Sequence, residues 1–157
     1  MKLLIQRVST ASVEVDNQIV SSIQQGVMAL VGFDKHDNTE SLRSMAEKLL
    51  NFKIFNDHNG KISRSILETN HQLLVVPQVT LSVATTKGSK PSFSKAADPK
   101  RSFRFFQEFI EIIRRKKIEC EIGSFGSDMS VRLVNDGPVT FWSVSYTHLT
   151  LPTNTVV

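Results

Sequence analysis

The segment Asn135-Asp136-Gly137-Pro138-Val139-Thr140 follows an alternating run from Met129 to Val134 and breaks a strand pattern with a Gly-Pro step. Glycine permits positive φ and close backbone approach. Proline fixes φ, lacks an N–H, and forms the one peptide bond that turns cis at small cost. Two readings fit: a plain turn that ends a strand, or a device that aims two carbonyl oxygens where a strand cannot. A second set is Pro77-Gln78-Val79-Thr80-Leu81, with polar Gln78 and Thr80 inside an apolar run. Buried polar groups need partners, so these two are either satisfied by a neighbouring strand or belong to a site. The third is the loop from Lys87 to Lys95, where Lys87, Lys90 and Lys95 are either solvated or hold phosphates. Phe125-Gly126-Ser127-Asp128-Met129 is the fourth.

Other chemistry is missing. His36, His58, His71 and His148 are scattered, with no metal-binding spacing. No Gly-rich phosphate loop and no Gly-x-Ser-x-Gly elbow occurs, and no cofactor is expected. The single cysteine, Cys120, lies in a short strand-like run and reads as a packing residue. A covalent role for Thr80 is the weaker option, because no histidine or lysine sits beside it in sequence.

Strands and two helices must position these groups. Lys2 to Val8, Ser12 to Asp16 and Ile19 to Ile23 read as strands, with a turn at Asn17-Gln18. Val27 to Phe33 is a near-continuous apolar run, the mark of a strand buried on both faces. A helix capped by Asp37 or Asn38 carries Leu42, Met45, Leu49 and Phe52 on one stripe. Gln72 to Leu81 reads as strand, with Pro77 marking an edge or a bulge. Asp98 caps a second helix with Pro99 at its first position, and Phe103, Phe106, Ile110 and Ile113 form its expected buried stripe. Ile118 to Ile122 and Met129 to Trp142 are the last strands. The pattern predicts an α+β domain: a curved, mostly antiparallel sheet with a barrel-like core and two main helices packed on it.

At 157 residues, one domain is expected. The opening residues are too short and too soon polar for a signal peptide, and no apolar run spans a membrane. A cytoplasmic protein with no membrane partner is the expectation. The net charge of +4 permits a polyanionic partner without demanding one.

Taken together, these residues resemble the D-aminoacyl-tRNA deacylase family over residues 1–142. The likeness is carried by Leu4-Ile5-Gln6-Arg7-Val8, Ala11-Ser12-Val13, Lys53-Ile54-Phe55, Gly60-Lys61, Leu74-Val75-Val76, the Lys87 to Ser94 loop and Leu133 to Phe141. The resemblance implies a homodimer that hydrolyses the ester of D-aminoacyl-tRNA. It makes Gly137 and Pro138 a cis chirality filter, reaching into the other subunit's site and leaving no room for an L side chain. By the same resemblance Arg7 braces that step, and Asn135 belongs to its motif. Pro77, Gln78, Val79 and Thr80 line the aminoacyl-adenosine pocket, with Phe125 as a wall. Main-chain amides near Gln78 and Val79 would stabilise the oxyanion, and the 2′-hydroxyl of the terminal adenosine would assist the water. Lys87, Lys90, Ser92, Phe93 and Lys95 would hold the tRNA; no DNA partner is implied.

Three places depart from the family. Pro77 and Val79 stand where serine and phenylalanine are usual, which predicts a wider pocket and slightly relaxed selectivity. Ile62-Ser63-Arg64 replaces the family's methionine and asparagine, and this has no functional reading. Residues 143–157 match nothing in the family and read as a foreign, disordered or loosely docked tail in which His148 has no function. Three rivals stand beside this reading. One is an RNA-binding module without turnover. Another is a structural dimer whose Gly-Pro step only shapes the interface. The last is a deacylase clearing glycine or L-alanine from tRNA.

Overall fold

A computed structural model describes residues 1–84 and 88–145. Lys87 and the segment 146–157, with His148, lie outside the described residues.

The first strand, β1 (Lys2–Val15), organises the sheet. β8 (Ser130–Val144) runs antiparallel along one edge of it. β3 (Gly26–Gly32) and β2 (Gln18–Ile23), both antiparallel, divide the opposite edge. The β1–β2 turn falls on Asp16-Asn17, one residue earlier than expected, and both have positive φ, as a tight hairpin requires. β6 (Gln72–Pro77) lies parallel to β3, and β7 (Cys120–Ile122) parallel to β6. The sheet is therefore mixed, antiparallel around β1 and parallel beyond β3. β2 approaches β6 and β7, which curls the sheet toward a barrel. A small antiparallel ribbon, β4 (Phe55–Asn56) with β5 (Ile62–Arg64), stands apart.

Both helices begin where the residues say they should. α1 (Thr39–Asn51) opens on a reciprocal cap, with Asn38 Oδ1 accepting from Ser41 N at 2.9 Å and Asn38 N donating to Ser41 Oγ at 3.0 Å. α2 (Pro99–Arg114) opens on Asp98, which accepts from Arg101 N at 2.9 Å. Leu42, Met45 and Leu49 of α1 and Phe106, Phe109, Ile110 and Ile113 of α2 close over Leu3, Ile5, Val27, Ala29 and Val31. The other sheet face buries Val8, Ala11, Val13, Met28, Leu74 and Val76. β3 and β6 thus contribute to both layers, as the continuous apolar run of β3 predicts. Phe103 is not part of the core: it is 44% exposed.

One expected strand is shorter than the sequence suggests. β6 ends at Pro77, and Val79–Ser82 form a 3-10 turn. Pro77 has no N–H to extend the ladder. Gln78 makes the last sheet bond, donating to Val31 O at 2.7 Å. The chain then folds over Gly32, where an added Cβ would lie 2.9 Å from Gln78 O, Leu81 Cβ and Ser82 Oγ.

Candidate active site

A cleft of about 810 Å³ opens where β6 ends. Pro77, Gln78 and Val79 form one side, Phe93 and Ser102 another, and the turn Phe125–Met129 a third. Val79 is 51% exposed. Gln78 and Thr80 are not buried ladder residues: Gln78 is half-buried, Thr80 is exposed, and Gln78 Nε2 donates to Thr80 Oγ1. The Gln78 amide is committed to Val31 O. The donors left by a helix start are therefore the first-turn amides of Val79 and Thr80, one residue later than the sequence suggests.

Phe125 is held by two rings of α2, Phe103 at 5.3 Å and Phe106 at 5.9 Å between centroids. The Ser124 and Ser127 hydroxyls, 2.8 Å apart, close its turn. The basic loop is tied down at both ends: Ser92 and Ala84 exchange main-chain bonds of 2.9 and 2.7 Å, and Ala97 N donates to Phe33 O at 3.0 Å. Lys90, Ser92, Phe93 and Lys95 are exposed, and of these Phe93 reaches the cleft wall.

The Gly-Pro segment is a bulge in the β1–β8 ladder. Gln6 pairs with Thr140 and Val8 with Asn135, so Arg7 alone stands opposite the four residues from Asp136 to Val139. Arg7 is only 8% exposed. Its guanidinium donates to Asp136 O at 3.2 Å, Ile54 O at 3.0 Å and Asn56 Oδ1 at 3.3 Å, and meets the Asp136 carboxylate at 3.2 Å. Asn135 clamps the base of the bulge, accepting from Val139 N at 3.1 Å and donating to Thr140 Oγ1 at 2.7 Å. Gly137 has φ +128°, and the Gly137–Pro138 bond is cis. Both residues are exposed.

The sequence-derived residues thus fall into two groups. Pro77, Gln78, Val79, Phe93 and Phe125 share the cleft, with Thr80 beside Gln78; Arg7, Asn135, Gly137 and Pro138 form the bulge and do not line that cleft. Sequence reasoning missed the carbonyl of Ile54 and the carboxylate of Asp136 as partners of Arg7. Ile54 lies in a motif the chain displays, but a main-chain acceptor leaves no mark on residue type. Among the described residues, no group of His, Cys, Asp and Glu is arranged to hold a metal. Burial pushes the Cys120 thiol up to about 12, which leaves no thiolate for chemistry near neutral pH.

A family model described as D-Tyr-tRNA(Tyr) deacylase matches residues 4–144, so Ser143 and Val144, read from the sequence as the start of a foreign tail, lie within the match and end β8 opposite Leu3 and Lys2. The chain belongs to that family. The D-aminoacyl-tRNA deacylase of Teredinibacter turnerae is 50% identical over 141 residues, covering 90% of this chain and 97% of the relative. That of Shewanella frigidimarina is 47% identical with the same coverage. Among solved structures, the c-Myc DNA Unwinding Element Binding Protein superposes with a TM-score of 0.88 at 36% identity, over 93% of this chain and 99% of that one. A probable eukaryotic D-amino acid tRNA deacylase shares the fold, with a TM-score of 0.80 at 18% identity over 90% of this chain and 97% of its own.

Proposed function

We propose that the chain hydrolyses the ester bond of D-aminoacyl-tRNA, releasing tRNA and the free D-amino acid. Membership of a deacylase family supports the reaction class. The observation that carries the finer reading is the Gly137-Pro138 bulge: braced by Arg7, clamped by Asn135, exposed, and apart from its own chain's cleft. In a homodimer this bulge enters the partner's cleft, and its two carbonyl oxygens meet the chiral centre from the side an L side chain would need. Exposed Ile19, Val20, Val134 and Trp142 supply apolar surface for such an assembly.

The chemistry demands little of the protein. An aminoacyl ester is labile, so positioning and oxyanion stabilisation carry the catalysis. The aminoacyl-adenosine end lies between Pro77–Val79 and Phe125. Water, assisted by the adenosine 2′-hydroxyl, adds to the carbonyl carbon. The amides of Val79 and Thr80 hold the resulting oxyanion. Collapse expels the 3′-oxygen, which takes the proton. The exposed cations Lys90 and Lys95 sit where tRNA phosphates pass. The DNA named for the structural neighbour is that protein's partner; the cleft here suits an ester at a nucleotide's end.

A second reading concerns specificity. Val79 presents a small side chain to the cleft, so the pocket is wide and the enzyme also clears glycyl-tRNA. Sharper D/L discrimination in the Pro77→Ser/Val79→Phe double variant supports this, and unchanged discrimination rejects it.

Subunit mixing tests the main reading. A Gly137→Ala chain keeps its cleft, and a Val79→Trp chain keeps its bulge but fills its cleft. Mixed dimers should regain D-selective release of tyrosine from D-tyrosyl-tRNA that neither homodimer shows. Absence of any regained selectivity would remove the cross-subunit filter.

A further inference from the structure

A second cleft, of about 540 Å³, opens along α2 beside the first, and Phe125 is a wall of both. Its floor is apolar, with Phe103, Phe106, Ile110 and Ile122. Phe106 is buried, but Phe103 is half exposed and meets Phe125 edge-on. An exposed ring braced by a second ring offers surface on which a flat ligand can stack. The segment that carries α2 is rich in cations. Nine of the chain's 19 Lys and Arg residues, but three of its 15 Asp and Glu residues, fall in 88–117. Arg104, next to Phe103, is exposed and has no carboxylate partner among the described residues. Arg114 on the rim spends one N–H on Cys120 O at 3.0 Å. The one carboxylate lining the cleft, Glu111, is held by Arg115 at 2.7 Å.

We propose that this second cleft binds a nucleobase of the single-stranded 3′ end, just upstream of the aminoacylated nucleotide, stacked on Phe103 with its phosphate beside Arg104. The inference rests on the deacylase reading, which places the terminal nucleoside in the first cleft. Aromatic platforms beside basic residues bind single strands in this way, with little demand on base identity. The shared wall at Phe125 fits adjacent nucleotides, one on each side of the ring. Grip on the upstream nucleotide adds affinity for tRNA over free aminoacyl esters without touching the reacting atoms.

The test compares Phe103→Ala, Phe103→Tyr and Phe103→Leu on D-tyrosyl-tRNA and on D-tyrosyl-adenosine, which fills only the first cleft. Phe103→Ala should raise KM for D-tyrosyl-tRNA about tenfold, the size of one lost base–aromatic stack. Its loss on D-tyrosyl-adenosine should be far smaller than on D-tyrosyl-tRNA, because Phe106 still holds Phe125. Tyrosine should restore KM and leucine should not. A parallel binding measurement needs no turnover: the parent should bind cytidylyl-cytidylyl-adenosine about tenfold more tightly than adenosine, and Phe103→Ala should lose that preference. Equal loss on both esters would mean that Phe103 only props Phe125 and would overturn the proposal. So would rescue by leucine, or a parent protein without preference for the trinucleotide. A parent inactive on both esters would sink the deacylase reading first.

Discussion

Replacing Arg7 by methionine tests how the Gly-Pro bulge is held. Methionine keeps the length and apolar stem, so the change removes charge and donors without opening a large void. Arg7 is nearly buried and bridges Asp136 O, Ile54 O and Asn56 Oδ1. Loss of the guanidinium leaves the Ile54 carbonyl buried without its donor, at about 1–3 kcal/mol. The half-exposed Asp136 carboxylate rehydrates at smaller cost. A total of about 2–4 kcal/mol lowers the midpoint of thermal unfolding by about 5–15 °C in a chain of this size. The bulge also loses its brace, so discrimination between D- and L-tyrosyl-tRNA should fall while hydrolysis of the D ester persists. Circular dichroism melts and initial rates on both esters read the two effects. Arg7→Lys should lie between, since an ammonium keeps the charge but not the planar fork. A methionine variant that melts with the parent and keeps full discrimination refutes the bracing argument.

Other substitutions probe separate parts of the account. Gly137→Ala places a Cβ 2.6 Å from Val139 Cγ2 and 3.1 Å from an Arg7 nitrogen, at φ +128°. It should cost about 1–3 kcal/mol in a denaturant titration and relax D/L selectivity; a silent change would show that the bulge tolerates reshaping. Thr80→Ala should retain at least about a tenth of parental kcat, because the amide donors remain; a fall of about 10²–10³ would assign chemistry to the hydroxyl. Asp34 receives the Met1 ammonium at 2.8 Å and Lys2 at 3.0 Å. Burial alone raises its pKa, but these cations outweigh burial and hold it below 3.8. Its contribution to stability is therefore present above that value and lost as pH falls through the folded pKa. Asp34→Asn should lower the urea midpoint at neutral pH, with the gap closing in acid; an equal gap at both would mean lost packing rather than lost charge.

Much of the frame was legible because its signals are local. Asp98-Pro99 and Asn38 mark helix starts through side chains that bond the nearest amides. The apolar run of β3 announces burial on both faces. What resisted reading depends on distant partners. Parallel pairing of β3 with β6 joins residues more than forty positions apart. The 3-10 turn at Val79 exists because Gly32 leaves room beneath it, so Gln78 and Thr80 passed for strand residues. Helical spacing puts Phe103 in line with Phe106 and Ile110, yet in the fold it meets Phe125 edge-on at the rim of the core and stays half exposed. At the site, residue types in the cleft and bulge were readable, whereas the Ile54 carbonyl that anchors Arg7 is main chain and carries no residue signature.

The most direct measurement is the deacylation of matched D-tyrosyl-tRNA and L-tyrosyl-tRNA by the purified protein. Rapid loss of the D ester with the L ester spared is the predicted result. Equal hydrolysis of both, or none of either by the folded protein, would contradict a chirality filter at Gly137-Pro138.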